Sequence, residues 1–396
     1  MQLVINIQRI LTYSLAAIPL IPQQWVTYLI ACWGIFSLFL LDFKKQDGKQ
    51  FFWGMLLASP FFLLLIQAWV SQHKTDWFAV EKAHSFWIFP LCFIFLKKEI
   101  PTINYLIFHR IMAYSMAALA VLTSMYFLLF GFNFTALEQH DFIFRYRNEI
   151  NQLIHIHPTY LSLMAVYSLL FLFHSASKFS TMLNRIHLII ALILFAFTYF
   201  LAARLVWMAG TVSLMILILL SKHISAGWKI GILIALTILV AGMFAANPRT
   251  AEFFSFKEDH TATNSLKVRS VIFSCSISLI PEALPLGLGA AETQKKLNAC
   301  YGNEPVFTSQ SFNTHNQYLD YLLCLGIPGI LFLLLILVAG FMVAWKDYNL
   351  LFLSFLILSS IIMLGENILN RQSGVVFFCL MFSLYVRQHI VKADEK

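Results

Sequence analysis

A histidine and an amide, His315 and Asn316, stand directly before a long apolar run in the stretch SFNTHNQYLDYLLCLGIPGILFLLLILVAG. A neutral imidazole accepts a proton near pH 7. A helix beginning at that point presents unpaired N–H groups and the positive end of its dipole, which attract anions. Thr314 or Asn313 is expected to cap it. Arginines supply the complementary chemistry, since a guanidinium fork binds phosphate oxygens bidentately. Arg204, Arg269, Arg145, Arg147 and Arg371 are the candidates. The combination suits a hydroxyl attacking a sugar carried on a lipid diphosphate, with His315 as base and arginine easing the departing phosphate. His157 and Tyr160, in HPTYLSL, and Glu366, in MLGENILNRQSGVVFF, join Asn316 as candidate substrate-binding residues.

Simpler roles compete at each position. His315 can cap a helix locally, and Arg204 can snorkel to an interface. Gly326 and Gly329 can serve close helix packing. Glu366 and Arg371 can form a structural ion pair near the outer interface. His155 and His157 have the spacing of a metal pair but lack a third ligand, so no metal is expected. The chain has no Asp-x-Asp, no P-loop and no HExxH, and no cofactor is expected. An enzyme of this kind needs a donor that already resides in the membrane.

The elements that must position these residues are apolar helices. The 396 residues are 60% hydrophobic and only 12% charged, which makes the bilayer the expected solvent. The fold class is therefore all-α, a polytopic membrane protein forming a single transmembrane domain over residues 1–396. Candidate spans run over 8–22, 24–42, 51–71, 83–96, 104–132, 157–174, 187–203, 204–220, 229–246, 316–345, 350–369 and 372–390. The first follows Arg9 without a convincing cleavage site and is expected to be retained. The formal charge of +8 is spread over short loops, so nucleic acid is not an expected partner.

Lysines and arginines collect in alternate connections: Lys44, Lys45 and Lys49; Lys97 and Lys98; Lys178 and Arg185; Lys222 and Lys229; Lys346; then Arg387, Lys392 and Lys396. The positive-inside rule makes these cytoplasmic, giving about twelve spans with both termini inside. The apolar run from 186 to 220 must then leave and return, with its turn near LAARLVW and Arg204 at the outer surface. Residues 247–314, between spans nine and ten, are then expected to form one large outer loop. Within it LKVRSVIFSCSISLI suits a helix lying on the membrane face, and PEALPLGLGAAE reads as a loop. Residues 133–156 form a second outer loop carrying Arg145 and Arg147. Four of the six cysteines lie in apolar runs; Cys275 and Cys300 can pair if their loop faces an oxidising compartment.

HNQYLDYLLCLGIPG resembles the signature of the O-antigen ligase and polymerase superfamily, in which His-Asn precedes Gly-x-x-Gly at this spacing. The family usually has Gly, Thr or Tyr after the last glycine, where this chain has Ile330. RSVIFSCSISLIPEALPLGLGAAE is similar to the family's Arg-led periplasmic helix with its Pro-x-Gly-x-Gly turn. That maps one functional arginine to Arg269, and AARLVW maps another to Arg204. GENILNRQSGVVFF and HPTYLSL resemble further family segments.

The resemblance implies a GT-C-like helical fold and a metal-independent, inverting glycosyltransferase in the bacterial inner membrane, its active site facing the periplasm. The implied donor is a glycan on undecaprenyl pyrophosphate. The implied acceptor is a lipid A–core sugar for a ligase, or another lipid-linked glycan for a repeat-unit polymerase. The ligase reading is favoured because the signature lies in the last large outer loop before three closing spans. A lipid-glycan transporter or flippase also uses about twelve spans, but it calls for similar halves and polar groups at mid-membrane. An inert scaffold in an envelope-synthesis complex is a third alternative.

Overall fold

The computed structural model describes residues 1–43, 48–97, 103–131, 139–176, 181–222, 224–246, 265–302, 307 and 312–394. Lys44, Lys45, Lys98, Lys178 and Lys396, all used to orient the spans, lie outside the described residues, as do residues 247–264 of the large loop. In chain order the helices begin with α1 (Gln2–Ala16), α2 (Gln23–Leu38), α3 (Gly48–Ser71), α4 (Lys74–Lys82), α5 (Ser85–Ile94) and α6 (Tyr105–Tyr126). Next come α7 (Gln139–Ile154), α8 (Pro158–Ser175), α9 (Thr181–Leu201), α10 (Arg204–Leu220) and α11 (Ala226–Ala246). The series closes with α12 (Ser265–Ser278), α13 (Ile280–Ala283), α14 (Gly289–Tyr301), α15 (Gln317–Lys346), α16 (Leu350–Ile362) and α17 (Gln372–Asp394).

Among the described residues, seven helices are long and apolar enough to cross a membrane: α3, α6, α8, α9, α11, α15 and α17. The chain is a multi-pass membrane protein. The other five predicted spans also coincide with helices: α1, α2, α5, α10 and α16. These are shorter. Helix α5 has ten residues. At the α-helical rise it covers only about 15 Å, against a hydrocarbon layer of about 30 Å.

The chain divides into two compact units. The first comprises Met1–Leu41, Lys97–Ala251 and Tyr348–Leu358. Its central helix is α8, apolar on every side and packed by α6, α9 and α10. A Cβ on Gly210 would come within 2.5 Å of Val166, so the missing side chain sets how closely α10 approaches α8. Helix α11 is exposed along most of its length, which leaves Trp228, Ile230, Ile234 and Ile238 as a surface for lipid. The run from 186 to 220 does break where the charge pattern requires. Ala202 takes φ 49, Trp207 donates to the Thr198 carbonyl at 3.1 Å, and Arg204 opens α10.

Residues 139–154, expected from the sequence to be part of an outer loop, are the helix α7. Their polar residues conceal a helical face: Ile143, Tyr146 and Ile150 are buried at spacings of three and four. The Tyr146 ring packs edge-on against Phe127, and its hydroxyl sits 2.8 Å from Ser124 Oγ.

The second unit comprises Asp42–Leu96, Glu252–Asp347 and Ser359–Lys396. Here α5 packs against both α3 and α17, and α3 packs against α15. Buried Arg387 on α17 donates to the Leu96 carbonyl at 3.0 Å, which gives a guanidinium inside the bundle an acceptor. A small helical layer sits on α15. Cys275 of α12 and Cys300 of α14 form a disulfide within a core of Ile272, Leu279, Ala283, Leu297, Tyr301 and Leu323. Closing a loop of that size stabilises by roughly 3 kcal/mol through the unfolded chain. Asp76 of α4 ties the layer down from the other side, accepting from Ala291 N at 2.9 Å.

Candidate active site

The loop before α14 and the apolar run of α15 lock together through their glycines. Inside α15, Gly326 leaves the helical region, with φ 67 and ψ −154. The broken ladder there is completed by the loop: Ile327 N donates to Pro285 O at 2.9 Å, and Leu288 N to Leu323 O at 2.8 Å. A Cβ on Gly326 would collide with Pro285 O, and one on Gly287 would collide with Cys324 O. The two glycine motifs are thus two halves of one junction. Each lacks a side chain where the other's backbone passes.

One stretch upstream, α15 is capped by Asn316, whose side chain accepts from Tyr318 N and Leu319 N at 3.0 Å each. The expected caps, Thr314 and Asn313, are used otherwise: Asn313 Oδ1 accepts from His315 N at 3.1 Å, and Thr314 joins the network described next. Gln317 N donates to Met363 O at 2.8 Å and Asp320 N to Asn316 O at 2.9 Å. The first four N–H groups of α15 are therefore all engaged. The expectation that they stand open to an anion is corrected here, because the cap and the 363 turn have taken them.

That turn, residues 363–371, carries the other half of the site. Asn316 Nδ2 donates to Leu364 O at 3.1 Å, Leu369 N donates to Gln317 Oε1 at 2.7 Å, and Gln317 Nε2 donates to Asn370 Oδ1 at 3.2 Å. Asp320 is the hub. Its two oxygens accept from Asn367 Nδ2 and Asn370 Nδ2, each at 2.8 Å, and Asn367 also donates to Thr314 Oγ1 at 3.0 Å. Asp320 is buried, and a carboxylate taken out of water needs this many donors. Thr314 and Asn316 flank His315, while Asn367 adjoins Glu366, so one network fixes the backbone on both sides of the His315–Glu366 pair.

His315 itself adopts φ 46, a left-handed conformation that costs a non-glycine residue about 1–3 kcal/mol. Its Nδ1 lies 3.4 Å from Glu366 Oε2, within ion-pair range, but makes no hydrogen bond. The other carboxylate oxygen, Oε1, accepts from Arg269 at 3.2 Å, and Arg269 also donates to Gly365 O at 3.3 Å. Guanidinium, carboxylate and imidazole thus stand in a row. Arg269 is 45% exposed, while Glu366 and His315 are 18% and 27% exposed, so the row reaches the molecular surface at its cationic end.

The expected pair of Glu366 with Arg371 is replaced by Glu366 with Arg269. Arg371 is exposed, and its carbonyl instead starts α17 by accepting from Gly374 and Val375. Of the remaining candidates, Arg204, Arg145, Arg147, His157 and Tyr160 belong to the first unit. There Arg145 is exposed on α7, His157 caps α8 by accepting from Thr159 N, and Tyr160 is buried beside it. Asp320, Gln317, Asn367 and Asn370 are not among the residues the sequence points to. The available signals are a lone carboxylate one turn into an apolar run and two asparagines three residues apart in ENILN.

Asp320→Asn is expected to lower the unfolding midpoint in detergent and to cost about 1–3 kcal/mol. An amide keeps one oxygen but turns its NH2 toward one of the two asparagine donors, which then loses its carboxylate acceptor. An unchanged midpoint would show that the network bears little load.

A family model described as O-antigen ligase matches residues 164–334. The matched stretch contains Arg204, Arg269, His315, Asn316 and both glycines of the α15 junction; Glu366 and Arg371 lie beyond it. No curated protein matches the chain.

Proposed function

We propose that this chain, whose residues 164–334 match the O-antigen ligase family model, is an inverting glycosyltransferase that moves a glycan from undecaprenyl pyrophosphate to a lipid A–core sugar hydroxyl at the periplasmic face. The observation that carries this reading is the Arg269–Glu366–His315 row at the head of α15. His315 takes the proton of the attacking hydroxyl, whose oxygen bonds to the anomeric carbon from the side opposite the departing diphosphate. A single displacement inverts that centre. Arg269 stabilises the charge that develops on the leaving diphosphate, a task the reading assigns to side chains without a metal, and Arg204 remains a candidate for the same task. Asn316, Arg145, Arg147, His157, Tyr160 and Arg371 remain candidates for holding donor or acceptor. The Cys275–Cys300 disulfide supports an oxidising compartment for this layer, as the periplasmic placement requires.

A polymerase shares the same base and leaving group and differs only in its acceptor, a second lipid-linked glycan. Deleting the gene and analysing the surface polysaccharide separates the two. A ligase leaves lipid A–core bare while lipid-linked polymer accumulates; a polymerase leaves single-repeat products. Unchanged surface and lipid-linked glycan would overturn both readings.

A further inference from the structure

We propose that Glu366 is a positioning carboxylate that changes partner when donor docks, releasing Arg269 to the donor's diphosphate and turning to the Nδ1–H of His315. The inference rests on the transferase reading above and concerns how that site is switched on. Glu366 divides its two oxygens between a cation it binds and an imidazole it does not. Oε1 holds Arg269 at 3.2 Å, while Oε2 stands 3.4 Å from a buried Nδ1 that makes no hydrogen bond. The backbone on either side is fixed: Glu366 N donates to Ile362 O at 2.9 Å, and His315 N to Asn313 Oδ1 at 3.1 Å. A side-chain rotation of Glu366 is therefore enough to exchange partners.

Arg269 is the partner that a donor can remove. It is half-exposed at the open end of the row, and a diphosphate offers more charge and more acceptor oxygens than one carboxylate. Once Arg269 turns to phosphate, Glu366 turns to His315. Accepting from Nδ1–H, it selects the tautomer whose Nε2 can take a proton, and it stabilises the imidazolium that results. The hydroxyl proton then passes to Nε2, the hydroxyl oxygen bonds to the anomeric carbon, and the carbon–oxygen bond to the diphosphate breaks with its electron pair leaving on phosphate beside Arg269. Base orientation thereby follows donor occupancy, so an empty site leaves water unactivated.

The test uses the full chain in nanodiscs, with inorganic pyrophosphate as the binding probe and lipid-linked glycan for turnover. Because Glu366 competes with the probe for Arg269, Glu366→Gln is expected to bind pyrophosphate about fivefold more tightly, the factor equivalent to the ~1 kcal/mol of a partly exposed ion pair. Turnover falls by about 10²-fold or more in the same variant. Tighter binding with slower turnover is the signature; a merely structural role for Glu366 weakens both. Glu366→Asp restores the competition and wild-type pyrophosphate affinity. Glu292→Gln, which removes an equal charge from α14, leaves affinity unchanged. Equal or weaker binding by Glu366→Gln overturns the exchange while leaving the transferase reading intact. Failure of the wild-type chain to bind pyrophosphate at all contradicts the donor assignment, and the exchange with it.

Discussion

His315→Asn is expected to reduce glycan transfer by about 10²–10⁴-fold, the range over which a general base contributes, with the fold intact. Asparagine is the informative replacement because it tolerates the left-handed backbone that His315 occupies at φ 46. It therefore leaves the flanking bonds of Asn313 and Thr314 undisturbed while removing the imidazole. Thermal unfolding of the variant should match the wild type to within about 1 kcal/mol. Full activity in this variant would remove His315 as the base. An equal loss of stability and activity would instead assign His315 to the network that surrounds it.

Gly326→Ala is expected to have the largest effect on stability. The residue combines φ 67 with ψ −154, a region essentially restricted to glycine. An added Cβ would also collide with the Pro285 carbonyl. Neither backbone can retreat easily, since Ile327 N is bonded to that same carbonyl at 2.9 Å. Dihedral strain of about 1–3 kcal/mol adds to the loss of the junction, so a total of roughly 4 kcal/mol is expected. Gly231→Ala is the comparison. Nothing lies within 4 Å of its Cβ, and the change falls in the interior of α11, where alanine is the better helix former. Yield and unfolding midpoint in detergent measure both. A Gly326→Ala protein as stable as Gly231→Ala would mean that the two glycine motifs do not form one junction.

The helices are legible in the sequence because span length and apolarity are properties of contiguous residues. Every predicted span overlaps a helix, and the break within residues 186–220 follows from charge on either side. The resemblance stated above singles out His315, Asn316 and Arg269 as candidates for a similar reason: its spacing is local. What the sequence conceals is long-range pairing. Nothing in ENILN announces that Asn367 and Asn370 will meet Asp320 about fifty residues earlier, with donors at 2.8 Å. Proximity in sequence suggests Arg371 for Glu366, whereas the fold gives it Arg269 across a separation of 97 residues. The glycines suggest helix packing, because a positive φ within an apolar run has no compositional sign. Helix α7 is hidden for the opposite reason, since its polar residues mask three buried ones on a single face.

Release of undecaprenyl pyrophosphate by the purified chain tests the central claim most directly. Liposomes containing the lipid-linked glycan and an acceptor glycolipid would be assayed with a chelator present. Release is expected from the wild type and is expected to be lost in both His315→Asn and Arg269→Ala. Release at the wild-type rate by either variant would contradict that claim.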